Sequence, residues 1–99
     1  MSDYNKREKF LKALADKSRL QILDWIQKGI ANPGDIAKKL DRNRSTVEKH
    51  LRVLLNAGIV EKVPSLTKEG HLCICYRVRE NARELLNKIQ EACQNFQRD

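Results

Sequence analysis

Arg44, Ser45 and Thr46 stand together at the head of the run RSTVEKHLRVLLNAG, whose apolar residues recur at helical spacing. A guanidinium is a planar fork of donors that matches the O6 and N7 acceptors of guanine in a major groove, while hydroxyls reach phosphates or bases. The start of a helix also offers free backbone N–H groups, which attract phosphate. Lys49 and Arg52 follow along the same run, and Lys68 sits on a later loop, all suited to phosphate. Glu48 is open to three roles. It accepts from a cytosine amino group, it repels phosphate, or it completes a capping box with Ser45. Arg44, Ser45, Thr46, Glu48, Lys49, Arg52 and Lys68 are therefore the candidate nucleic-acid contacts.

A second group of chemically capable residues is His71, Cys73 and Cys75, which alternate onto one face of the segment HLCICYRV. Zinc takes four ligands, and one chain offers three here, so no metal and no cofactor is expected. In a regular strand Cα atoms two apart lie about 6.5–7 Å from each other, at the limit for a disulfide, so the thiols are expected reduced. Cys93 lies on an apolar helical stripe and reads as a small hydrophobe. His50 precedes Leu51 on an apolar helix and reads as structural or phosphate-contacting. No glycine-rich phosphate loop, nucleophile elbow or histidine–carboxylate set is present, so the chain is not expected to be an enzyme.

The composition favours a polyanionic partner. The net charge is +7, and residues 35–79 hold ten basic and five acidic side chains, whereas residues 80–99 are slightly acidic. A basic patch on a small domain gains affinity for nucleic acid by counterion release. Ninety-nine residues suffice for one compact domain, spanning 1–99. No apolar run reaches the roughly 20 residues that span a bilayer, and the N-terminus lacks the pattern of a signal peptide, so a cytoplasmic chain without membrane contact is expected.

The elements that position these residues follow from periodicity. A first helix is predicted from about Asp3 to Ala15, with Tyr4, Phe10, Leu11 and Leu14 on a stripe. A second begins at SRLQ, where Ser18 and Gln21 form a capping box, and buries Leu20, Leu23 and Ile26, widened by Ile22 and Trp25. NPGDIAKKL is a third, short helix with Asn32 as cap and Pro33 at its first position. The fourth starts at Asn43 or Ser45, buries Val47, Leu51, Leu54 and Leu55, and closes at Gly58. IVEKV and HLCICYRV are strands joined by the loop PSLTKEG. Leu72, Ile74, Tyr76 and Val78 are expected to face the core. A fifth helix from about Asn81 carries Ala82, Leu85, Leu86, Ile89, Ala92, Cys93 and Phe96 at spacings of three and four, more apolar surface than so small a core needs.

Two short helices joined by a tight turn and followed by a β hairpin make a winged helix-turn-helix, mainly α with a β hairpin, in which the second helix of the pair enters the major groove. The segments LADKSRLQILDWIQKG, DIAKKLDRNRSTVEKHLRVLLNAGIVEKV and YRV resemble the arsenic-repressor-type (ArsR-like) winged-helix regulators over roughly residues 10 to 80. The resemblance implies a homodimer held by the first and last helices. Candidate interface residues are Tyr4, Leu11, Leu85, Leu86, Ile89, Cys93 and Phe96. It also implies that Arg44, Ser45, Glu48 and Lys49 face double-stranded DNA, with the hairpin on the adjacent backbone or minor groove, and that His50 matches a histidine common in the family's recognition helix. There are departures. The third helix lacks the family's cysteine pair, the last helix lacks histidine ligands, and Arg42 replaces an apolar residue in the turn. The standard metal sites do not carry over, and the sequence names no effector. The expectation is a sequence-specific dimeric transcription regulator, a repressor by resemblance. The alternative is a winged-helix module that binds protein or coats DNA without sequence preference.

Overall fold

Five helices and one hairpin follow one another as α1 (Tyr4–Leu14), α2 (Lys17–Gln27), α3 (Pro33–Leu40), α4 (Arg44–Asn56), β1 (Val60–Leu66), β2 (Leu72–Val78) and α5 (Glu80–Gln97). The computed structural model describes residues 3–97; residues 1, 2, 98 and 99 of the chain lie outside the described residues. The element order is the expected winged helix-turn-helix.

The starts of α1, α2 and α3 are set by side-chain oxygens. Asp3 accepts from the Lys6 N–H, and Asn32 accepts from those of Gly34 and Asp35. The start of α2 corrects the expected capping box. Asp16, not Ser18, is the cap, and its carboxylate accepts the Arg19 N–H at 3.0 Å. An ionised oxygen facing the positive end of a helix outcompetes a hydroxyl two residues further in.

The ends of α2, α3 and α4 share one device. At Gly29, Asp41 and Gly58 the chain turns left-handed, and the next N–H reaches back five residues: Ile30 to Trp25, Arg42 to Ala37, Ile59 to Leu54. This is the Schellman closure. Two of the three positions are glycine, as the positive φ favours; Asp41, at φ 53°, is among the few side chains that tolerate it.

The core lies where α1 to α4 meet the base of the hairpin. Ile22, Leu23, Ile36, Val47, Leu51, Leu54, Ile59 and Val60 are its fully buried members. Leu20 was expected among them but is 44% exposed, because it faces a shallow cleft toward α5 rather than the helix pair. Trp25 is half-buried, with the Lys28 and Lys39 ammonium groups 5.1 and 5.3 Å from its ring, a cation–π link between α2 and α3.

The hairpin pairs Val60 with Val78, Lys62 with Tyr76, Pro64 with Ile74 and Leu66 with Leu72. β1 thus runs through Pro64, and the connecting turn shrinks to residues 67–71. There the Thr67 N–H donates to the His71 carbonyl, and the Thr67 hydroxyl accepts the His71 N–H. The Tyr76 N–H points away from β1 and donates to the Ala31 carbonyl at 2.9 Å. The residues alternating with it, Pro64 among their partners, therefore occupy the non-hydrogen-bonded register positions. Pro64 costs the ladder nothing there. The expectation that the whole apolar set of β2 faces the core fails beyond the base. Val78 is buried and Tyr76 packs against the core, but Leu72 is 74% exposed and Ile74 is also exposed. The alternation is intact; the hairpin simply projects past the helices that would cover it.

Asp16 also sets a pH dependence. The Arg19 N–H it accepts, together with the nearby Arg19 guanidinium, holds its carboxyl below the ordinary value, against an opposing effect of partial burial. The folded-state pKa is depressed, so the stabilisation is present above the unfolded pKa and disappears as pH falls through the folded one. Asp16→Ala is expected to cost about 1 kcal/mol near neutral pH. Urea unfolding at fixed protein concentration should show the gap to wild type narrowing below about pH 4 and closing once the folded carboxyl is protonated.

Candidate nucleic-acid interface

α4 has two opposite faces. Val47, Leu51 and Leu54 are buried, and Arg44, Ser45, Lys49, Arg52 and Asn56 are exposed. Thr46, Glu48 and His50 lie half-buried on its flanks. Asn43 occupies the cap position but makes no side-chain cap bond, and Ser45 is already inside the helix. The Asn43 carbonyl accepts from Thr46 and Val47, and among the described residues no side chain accepts from the first N–H groups of α4. A helix start left open in this way can receive a phosphate oxygen.

Glu48 does not complete a capping box. Its Oε1 instead accepts from Arg44 Nε at 3.3 Å, one turn along the helix. Both side chains line a cleft of about 570 Å³ between the start of α4 and the hairpin, together with Lys62, Leu72, Ile74 and Tyr76. Lys62 is a cation that sequence reasoning left out of the interface. Its register partner Tyr76 was the available signal, since it puts Lys62 on the same hairpin face as the exposed apolar residues. On the other flank Lys38 and Arg42 line a second cleft with Thr46. Lys68 is exposed at the hairpin turn. The structure thus brings Arg44, Ser45, Thr46, Glu48, Lys49 and Arg52 onto one helix and places Lys68 at the far end of the hairpin.

Sequence reasoning missed what fixes this helix in place. The half-buried Arg19 donates from Nε to the Ala13 carbonyl at 2.6 Å, from Nη2 to the Lys12 carbonyl at 3.1 Å, and from Nη1 to His50 Nδ1 at 3.2 Å. Its Nη1 is also 4.0 Å from Asp16 Oδ2. One guanidinium therefore joins the end of α1, the start of α2 and the middle of α4. Because a guanidinium only donates, His50 Nδ1 is the acceptor and the ring proton is assigned to Nε2. His50 is structural here, as its place on an apolar helix suggested.

The soft-ligand group does not assemble. His71 precedes β2 and is exposed, while Cys73 and Cys75 are half-buried on the strand. Among the described residues no group of three His, Cys, Asp or Glu side chains is placed to hold a metal ion. Burial, and then the neighbouring Cys73 thiol, pushes the Cys75 thiol above its ordinary value. That disfavours the thiolate that metals and oxidants require.

Among the described residues of α5 only Ala82 is fully buried, with Leu86 and Ile89 leaning on the core. Leu85 and Cys93 are exposed, and Phe96 is 80% exposed. On α1, Tyr4 and Leu11 are exposed as well, with the Arg7 guanidinium 5.4 Å from the Tyr4 ring.

Residues 16–62, from the cap of α2 into β1, match the model of bacterial regulatory proteins of the arsR family. An HTH-type transcriptional regulator of Methanocaldococcus jannaschii, MJ1325, is 30% identical over 92% of this chain and 99% of its own length. The chain belongs to the arsR family. Another protein of that organism, MJ1503, is 30% identical over 78 residues, and the chain spans 59% of its length. The homodimeric winged helix-turn-helix DNA-binding domain of Mb0332 from Mycobacterium bovis superposes with a TM-score of 0.79 at 28% identity, covering 97% of this chain and 90% of that domain. The chain thus carries the winged helix-turn-helix fold of a family of regulatory proteins. Among the described residues, no helix is long and apolar enough to cross a membrane.

Arg19→Ala is expected to destabilise this regulator by about 2–3 kcal/mol, since the Ala13 and Lys12 carbonyls lose charge-assisted partners. Arg19→Lys should recover little, because an ammonium cannot span three acceptors as a planar fork does. Urea denaturation of both variants against wild type measures it.

Proposed function

We propose that the chain, acting over its full length as one winged-helix domain, is a cytoplasmic homodimeric repressor that reads a specific operator with α4 in the major groove. The observation that carries this reading is the open, cationic start of α4. Arg44 and Ser45 begin a helix whose N–H groups no side chain caps, and Lys49 and Arg52 follow on the same exposed face. A helix built only for stability would place an acid there. Arg44 is assigned to a guanine edge. Ser45 and Thr46 take a base or phosphate, and Lys49, Arg52 and, from the hairpin, Lys68 take phosphates.

The dimer reading rests on α1 and α5. Tyr4, Leu11, Leu85, Cys93 and Phe96 form exposed apolar surface on the first and last helices, and Leu86 and Ile89 continue the α5 stripe onto the core. A second copy offering the same residues covers them by two-fold symmetry. Two recognition helices related in that way address two half-sites of a palindrome.

Two measurements test these assignments. Arg44→Ala is expected to cost about 1–3 kcal/mol on the selected operator and to relax preference at one base position, whereas Lys49→Ala weakens all sequences alike and lowers the salt slope by about one. Equal operator affinity of Arg44→Ala and wild type in a fluorescence anisotropy titration would remove the base-reading assignment. Leu85→Lys combined with Phe96→Lys is expected to shift the protein to monomer in sedimentation equilibrium at micromolar concentration. A dimer that survives both changes places the interface elsewhere.

A further inference from the structure

Glu48 is an odd residue for a surface meant to meet phosphates. Its carboxylate lies on the recognition helix, half-buried, in the same cleft as Arg44 and Lys62. Simple repulsion would make it a defect. Its hydrogen bond suggests a use. Glu48 Oε1 accepts a hydrogen bond from Arg44 Nε, the inner donor of the guanidinium, at 3.3 Å. Among the described residues the two terminal nitrogens have no hydrogen-bond partner. An arginine can present a guanine either with Nε and one terminal nitrogen, side-on, or with both terminal nitrogens, end-on. With Nε engaged, only the end-on fork is available, and its two donors match O6 and N7.

The surroundings narrow the geometry further. A Cβ built on Gly34 would meet Arg44 Nη1 at 3.8 Å and Asn32 Oδ1 at 3.1 Å. The guanidinium thus sits between Glu48 and the start of α3, where a larger residue at position 34 would crowd the Asn32 cap. Arg44 also stands at the start of α4, where the helix dipole repels a cation and no acid occupies the first turn. Glu48, one turn on, supplies the missing negative charge. In the free protein this pair is solvent-exposed on both sides and holds weakly. A DNA groove closing over it would exclude that solvent and strengthen it.

We infer that Glu48 is a positioning residue that, through the Nε bond, restricts Arg44 to end-on recognition of a guanine and so sharpens specificity rather than affinity. This rests on the operator-reading role proposed for α4. It predicts an asymmetry. Losing Glu48 weakens discrimination at the base that Arg44 reads, while binding to arbitrary DNA stays equal or tightens because an acid has left the surface.

The test is selection of bound sequences from a random-sequence duplex library by wild type, Glu48→Ala, Glu48→Gln, Arg44→Ala and the Arg44→Ala, Glu48→Ala double variant. Thermal melting by circular dichroism checks folding of each. Wild type is expected to select a guanine that Arg44→Ala no longer selects. Glu48→Ala should lose about tenfold of that preference, the scale of one buried hydrogen bond. Glu48→Gln, whose amide oxygen still accepts from Nε, should keep most of it. Adding Glu48→Ala to Arg44→Ala should change preference no further. Uniformly tighter binding by Glu48→Ala with its guanine preference intact would overturn the inference in favour of plain repulsion. A change of preference by Glu48→Ala that persists without Arg44 would overturn it in favour of direct base reading by Glu48. A wild type that selects no sequence would instead remove the operator-reading role itself, and this inference with it.

Discussion

The guanidinium of Arg19 is the constraint around which the helices are arranged. Carbonyls at the end of a helix need donors, and a half-buried arginine needs acceptors. Here each solves the other's problem, with Lys12 and Ala13 at the end of α1 and His50 on α4 sharing one planar group. Asp16 completes the set by capping the helix that carries Arg19 and lying within ion-pair reach of it. The result ties the helix with the exposed apolar residues Tyr4 and Leu11 to the helix with the exposed cations. Apolar packing of Val47, Leu51 and Leu54 sets how deeply α4 sits, but such contacts tolerate sliding. A three-way hydrogen-bonded fork does not.

Against that rigid frame, the beginning of α4 departs from the rule that α1, α2 and α3 obey. α1, α2 and α3 each start at an Asp or Asn whose side chain accepts a backbone N–H. α4 starts at an Asn that does not, and follows it with a cation. Local stability is forgone here, at the start of a helix whose opposite face is anchored. Departures from helper rules of this sort concentrate where a surface has work other than folding.

Much of the fold was legible in the sequence because helical period, caps and closing residues agreed with one another. Asn32–Pro33 and Gly58 mark helix limits by chemistry that depends on few neighbours. The readings that failed depend on what lies opposite. Leu20 fits the period of a buried stripe, yet whether a stripe position is covered is decided by the placement of α5. Leu72 and Ile74 alternate correctly but lie beyond the end of the core. Ser18 satisfied a capping pattern that the ionised Asp16 satisfied better. For the interface, the cations along residues 44–52 were plain from type and spacing. Lys62 was hidden because strand pairing brings it there, and Arg19 because its acceptors are backbone carbonyls, which no residue code displays.

Pro64 has an effect that goes beyond the hairpin's own register. A two-stranded sheet has two outer edges, and each is a row of unpaired N–H and C=O groups that invites another strand. The edge on β2 is already engaged, by the bond from Tyr76 to Ala31. The edge on β1 is open, and it carries exposed Leu66 beside it. Pro64 sits in that strand at a position whose nitrogen would face outward, and it has no hydrogen to offer. A foreign strand laid along β1 would find a gap and a ring in its path. The proline thus guards this edge against sheet extension from copy to copy, and the exposed helix faces carry no such ladder of unpaired backbone groups.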